Sequence, residues 1–230
     1  MRTRVKYCGL VRPQDVDAAV AIGADAIGFV FYPKSPRLLD AATAAALRRR
    51  LPSWVMSVGL FVNAHPDEIN RVASQVGLDV IQLHGDETAE DARALQAAWW
   101  KAIRIGATGG DPVGAPPAAA ESVRRSLVRT LDLYREAEFC LLDSLSPGYG
   151  GSGKTFDWSL VPRETGRRLI MSGGLDGVNV GAAIDSVGPF AVDTSSGIQA
   201  ESAREKDVGR MEQFMEAVRL ADGRRNPREQ

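Results

Sequence analysis

Short apolar, β-branched runs recur along the chain at spacings of roughly 20 to 35 residues, with stretches of helical periodicity between them. Eight such runs are present: VKYC from residue 5, AIGFVF from 26, VMSVGLFV from 55, DVIQLH from 79, WKAIRI from 100, EFCLLD from 138, RLIMSG from 168 and FAVDTS from 190. Each reads as a strand, with a helix expected after it. The punctuation is clearest at PDEIN, where Pro66 suits a first helical turn and the acidic residues beside it face the positive helix end. That helix is expected to close at Gly77. Alternating strands and helices with short links imply a parallel sheet with right-handed crossovers. Eight units predict a single-domain (β/α)8 barrel over residues 1–222, followed by a polar tail at 223–230; an open doubly wound sheet is the structural alternative.

One stretch interrupts the rhythm. GATGGDPVGAPPAAAES, residues 106–122, is rich in Gly and Pro and reads as a long fifth connection. ADGRRNPREQ at the end lacks an apolar period and is expected to fray.

Composition narrows the function without naming it. The chain has 230 residues, 44% of them hydrophobic and 25% charged, in the range of an ordinary globular domain. A formal net charge of -1 argues against a sequence-independent nucleic-acid binder, which needs a basic surface to displace counterions. Two cysteines without CxxC spacing exclude a disulfide framework and suit a reducing cytoplasm. The first ten residues have no apolar signal core, and no window is long and apolar enough to span a bilayer. A cytoplasmic protein with no membrane partner is expected.

In such a barrel the functional groups stand at the C-terminal ends of the strands, and each candidate is judged by that position. Cys8 ends the first strand, and Gly9 lets the chain turn away from it. Alternation puts Lys6 on the same face, where its ammonium is expected to lower the thiol pKa; the other reading is a small buried hydrophobe. Asp143 ends the sixth strand directly after four apolar residues, either as a working carboxyl or as a loop cap. Cys140 points the opposite way and should be inert. Gly173 and Gly174 in SGGLDG, with Ser195, Ser196 and Gly197 in DTSSG, follow consecutive strands and together suggest a phosphate cradle of backbone amides. Arg37 after the second strand could clamp a carboxylate or be a solvated loop charge. Gln82 and His84 share one face of the fourth strand, with His84 at the mouth, and are candidates for substrate contact. His65 looks like a cap.

Residues 148–155, GYGGSGKT, match the phosphate-loop pattern of nucleotide hydrolases letter for letter. That motif needs a long helix opening at its Lys-Thr. The residues that follow, FDWSLVPRETG, leave no room for one.

Taken together, KYCGL, GADAIGFVFYPKSPR, VGLFVN, VIQLHGDE, KAIRI, LLDS, GGSGKTFDW, SGGLDGVNV and DTSSGI resemble the phosphoribosylanthranilate isomerase family, in order and over essentially the whole chain. The resemblance implies a TIM barrel that performs a ring-opening Amadori rearrangement in tryptophan biosynthesis, on a small-molecule substrate, with no metal or cofactor. It implies that Cys8 is the base and Asp143 the acid. It also implies that Arg37 binds the anthranilate portion, that Asp193 faces the sugar hydroxyls, and that SGGL and SSG bind the phosphate. The acid must still hold a proton near neutral pH, and the apolar strand before Asp143 is expected to favour that. The chain departs from the family at Gln199, where an acidic residue usually follows the SSG step. A monomer is expected rather than a dimer. The rival readings are the phosphosugar barrel isomerase of histidine biosynthesis or a dual-substrate form, which is expected to use two aspartates; a nucleotide-binding module built on GYGGSGKT; and an inactive binding barrel.

Overall fold

In the computed structural model, which describes residues 2–106, 117–145, 155–162 and 165–225, eight parallel strands close into one barrel in sequence order. They are β1 (Arg4–Cys8), β2 (Ala26–Val30), β3 (Met56–Phe61), β4 (Val80–Leu83), β5 (Ala98–Ile105), β6 (Phe139–Ser144), β7 (Leu169–Met171) and β8 (Ala191–Thr194). Among the described residues the helices are α1 (Pro13–Ile22), α2 (Ala41–Arg48), α3 (Pro66–Val76), α4 (Ala89–Arg93), α5 (Pro117–Leu133), α6 (Val180–Val187) and α7 (Val208–Arg225). None is long and apolar enough to cross a membrane.

Alternation along each strand separates two cores. Ala26, Val58, Val80, Trp100, Ala102, Phe139, Leu141, Ile170 and Ala191 face inward and fill the barrel as packed layers. Their neighbours in sequence, such as Tyr7, Ile27, Ile81, Cys140 and Leu142, face outward into the shell of helices. Cys140 is thus a buried packing residue against the helices, touched by Arg167.

The helix signals act where the sequence puts them. α3 opens with Pro66 in its first turn, beside Asp67 and Glu68, and ends at Gly77 in the left-handed conformation. His65 caps it, its Nδ1 accepting the amide of Asp67.

Three expectations need correction. The fifth connection ends earlier than predicted, because α5 starts at Pro117; a proline fits the first turn and the alanines after it are good helix formers. Residues 107–116 of that connection lie outside the described residues. Among the described residues the sixth unit has a 3-10 turn, Trp158–Leu160, in place of the helix expected after every strand, with Pro162 and Gly166 in the span before β7. The tail prediction starts too early, since α7 runs to Arg225 with Ala221 fully buried on its inner face, and Asp222 accepts from both Thr3 N and Thr3 Oγ1.

Most of GYGGSGKT falls outside the described residues. The chain is non-helical from Thr155 to the 3-10 turn at Trp158, so no helix opens where a nucleotide phosphate would need its N-terminus.

Candidate active site

Five strand ends converge on the barrel mouth through one line of contacts. β1 supplies Lys6 and Cys8 on its inner face, and the β1–β8 register pairs Lys6 directly with Asp193. Lys6 Nζ lies 2.7 Å from Asp193 Oδ1, and both side chains are buried. Ser172, just after β7, donates its hydroxyl to Asp193 Oδ2 at 3.0 Å. The next residue, Gly173, has a φ of 80°, and a Cβ there would sit 3.0 Å from Asp143 Oδ1 and 2.5 Å from Ser144 N. Only glycine lets the β7 loop pass so close to the carboxyl at the end of β6. Asp143 Oδ1 accepts the Ser144 amide, and Oδ2 lies 3.0 Å from His84 Nε2. The line thus runs from the thiol of β1 to the carboxyl of β6.

The environment of Cys8 overturns its expected electrostatics. Burial, the largest influence, raises the thiol pKa, and the Lys6 ammonium beside it only partly offsets this. The reason is visible in the pairing. Lys6 is itself held in its charged form by Asp193 against the cost of its burial, and that carboxylate opposes a second anion at Cys8. The thiol closes a small apolar wall made by Val30, Leu60 and Val62, with Tyr32 packed beside it. Gly28 of β2 leaves it room: a Cβ there would lie 2.7 Å from Cys8 Sγ.

Arg37 folds over Gly9, which turns the chain out of β1 with a φ of 74°; a Cβ on Gly9 would strike Arg37 Cδ at 2.3 Å. Its Nη2 donates to Gln199 Oε1, while its Nε is buried without a partner. Among the described residues it makes no ion pair. The group that meets it, Gln199, is a neutral amide. Burial lowers its pKa from the ordinary arginine value.

The predicted phosphate cradle divides. Gly174, Ser196 and Gly197 line one cavity of about 310 Å³, with Asp176, Gly177, Val178, Arg210 and Gln213. Gly173 instead lies against Asp143, and the Ser195 hydroxyl donates to the Cys8 carbonyl oxygen at 2.9 Å. Gly197 is packed too tightly for any side chain, 2.1 Å from the Leu175 carbonyl oxygen by the same measure.

Gln82 and His84 come together, behind the acid. Gln82 is 0% exposed, and its amide lies 2.9 Å from His84 Nδ1.

Lys206 and Arg104 were not anticipated. Lys206 is buried, with Nζ donating to the Ser195 carbonyl oxygen at 2.8 Å, and burial followed by the like charge of Arg37 lowers its pKa to about 7. No local pattern marks it. Arg104 was detectable, since the alternation that places Trp100 and Ala102 inside places it inside too, in register with Asp143 and bonded to Asp86.

Residues 5–217 match the family model described as N-(5'phosphoribosyl)anthranilate (PRA) isomerase. The chain is 47% identical to the N-(5'-phosphoribosyl)anthranilate isomerase of Leptothrix cholodnii, over 97% of this chain and 94% of that one. It superposes on the crystal structure of phosphoribosyl anthranilate isomerase from Thermotoga maritima with a TM-score of 0.82 and 40% identity, covering 95% of this chain and 99% of that one. A phosphoribosyl anthranilate isomerase in complex with reduced 1-(o-carboxyphenylamino)-1-deoxyribulose 5-phosphate is also similar, with a TM-score of 0.79 and 37% identity over 95% and 99% of the two chains.

Proposed function

This chain belongs to the phosphoribosylanthranilate isomerase family, and from that premise we propose that it isomerises N-(5'-phosphoribosyl)anthranilate in tryptophan biosynthesis with Cys8 as base and Asp143 as acid. The observation that carries the residue assignment is the continuous line from Cys8 through Lys6, Asp193, Ser172 and Gly173 to Asp143. It sets a thiol and a carboxyl on different strands of one mouth.

Asp143 gives its proton to the furanose ring oxygen as the bond from that oxygen to C1 breaks, and the anthranilate nitrogen lone pair closes a C1–N iminium. The iminium acidifies the C2 proton, which the Cys8 thiolate removes. The resulting enolamine gains a proton at C1 and loses one from the C2 hydroxyl, leaving the ketose. Burial disfavours the thiolate in the resting site, but the iminium brings a positive charge beside it and favours the ionised base at the step that needs it.

The guanidinium of Arg37, which makes no ion pair among the described residues, suits the anthranilate carboxylate, and the apolar wall of Val30, Leu60 and Val62 suits the ring. Asp193 keeps lone pairs beyond its bonds to Lys6 and Ser172, enough to accept a sugar hydroxyl. Gly174, Ser196 and Gly197, with Arg210 at the same cavity, suit the phosphate. Among the described residues the large apolar side chains left on the surface, such as Trp54, Leu133 and Val178, are scattered over separate elements, which supports a monomer; light scattering that gave twice the chain mass would overturn it.

The test is loss of the fluorescence of freshly made phosphoribosylanthranilate. The protein accelerates it, and Cys8→Ala and Asp143→Asn each lower kcat by roughly 10²- to 10⁴-fold with the fold intact by circular dichroism. Near-normal turnover in either variant removes that residue from its role.

A further inference from the structure

Two side chains behind the acid have no step of their own in that chemistry. Gln82 is fully buried on the inner face of β4, and His84, also buried, stands between it and Asp143. The His84 ring is used at both ends, with Nδ1 2.9 Å from the Gln82 amide and Nε2 3.0 Å from Asp143 Oδ2. Taken as neutral, the imidazole has one donor and one acceptor, so the row has a direction. In one, the Gln82 amide donates to Nδ1 and Nε2–H donates to an ionised Asp143. In the other, Asp143 O–H donates to Nε2, and Nδ1–H donates to the amide oxygen of Gln82.

The heavy atoms are compatible with both directions, because a half-turn of the amide exchanges its oxygen and nitrogen without moving them. Either way one amide atom is left without a partner, as Gln82 Oε1 is in the first arrangement. Amide satisfaction therefore does not decide between them. The acid does. Asp143 Oδ1 already accepts the Ser144 amide at 2.8 Å, so the proton that Asp143 carries into the reaction sits on Oδ2, facing His84. An Nε2–H there would set two donors against each other at 3.0 Å.

We propose that Gln82 and His84 are positioning residues that keep Asp143 loaded as a proton donor: His84 is the Nδ1–H tautomer, its Nε2 accepts the acid's O–H, and the Gln82 amide oxygen holds that tautomer. The proposal rests on Asp143 being the acid. Its carboxyl is thereby aimed by a rigid row rooted in the barrel interior, and substrate does not touch Gln82.

The chain has two histidines, and His65 is an exposed helix cap, so the ring nitrogens of His84 are assignable by 15N NMR of the full-length protein. The expected spectrum shows His84 neutral with Nδ1 protonated at a pH where the enzyme turns over. Asp143→Asn keeps that tautomer, because its side-chain amide also donates to Nε2. A protonated Nε2, or an imidazolium, in the wild-type protein overturns the proposal. In kinetics, His84→Leu lowers kcat roughly tenfold to a hundredfold with little change in KM, and His84→Gln, whose amide oxygen can accept the acid's proton, recovers part of it. A rise in KM with unchanged kcat would instead make His84 a substrate contact. Normal turnover in Asp143→Asn would remove the acid assignment itself, whereas an inactive Asp143→Asn together with an Nε2–H spectrum would remove only the row.

Discussion

The thiol of Cys8 shows how a single residue's chemistry depends on which of two opposed effects is larger. Lys6 lies on the same strand face and favours the thiolate, but the residue is buried and Lys6 is already paired with Asp193 at 2.7 Å. Desolvation wins, and the pKa is raised. At neutral pH the free enzyme therefore holds little thiolate, and the fraction grows as pH increases. One measurement follows: alkylation of Cys8 by iodoacetamide is slow at pH 7 and accelerates as the thiolate fraction grows with pH. Fast alkylation at neutral pH, as for an activated thiol, would contradict the balance. Cys140 is fully buried among helices, its pKa also raised by burial, so Cys8→Ala supplies the background rate.

Among the elements, the turns after the strands do more than join them. Gly9 turns the chain so that Arg37 can fold over it, Gly28 makes space for a thiol on the neighbouring strand, and Gly173 lets a loop approach a carboxyl. Gly28 is the cleanest to test, because its backbone is ordinary strand and the three atoms nearest an added Cβ all belong to Cys8. Gly28→Ala puts a methyl 2.7 Å from Cys8 Sγ and forces the thiol to move. The expected result is a loss of kcat well beyond what a destabilisation of about 1–3 kcal/mol explains, with the Tm only modestly reduced. Equal turnover in Gly28→Ala would show that the position of the thiol is not critical. The strand ends themselves were legible: Cys8 and Asp143 each close an apolar run, a purely local signal. His84 was visible as a mouth residue, but its contact with Asp143 was not, because β4 and β6 are separated by β5 in the sheet and meet only across the interior.

For the whole molecule, closure of the barrel and assembly of the site are the same event. The first and last strands meet through the Lys6–Asp193 pair, while α7 clasps the first strand from outside through Tyr7 Oη donating to the Met211 carbonyl oxygen. Removing one partner of a buried pair leaves an uncompensated charge, so Lys6→Met should cost about 3–5 kcal/mol. For a domain of this size that lowers Tm by on the order of 10 °C, and Lys6→Met combined with Asp193→Leu should recover much of it. A single variant as stable as the parent would show that the seam does not depend on the pair.

The repeat of strand and helix, the inner and outer faces of each strand, and the chemical groups at the strand ends were all set by the amino-acid order, because each depends on a period of two or 3.6 residues along the chain. Only the closed barrel decided which of those groups meet. Burial of Cys8 reversed the expected direction of its pKa shift. Lys206, with no local pattern to mark it, came to Ser195 near the thiol, and Gln82 and His84 came to stand behind Asp143. Desolvation and cross-barrel contact are properties of the space between strands, and no window of sequence contains that space.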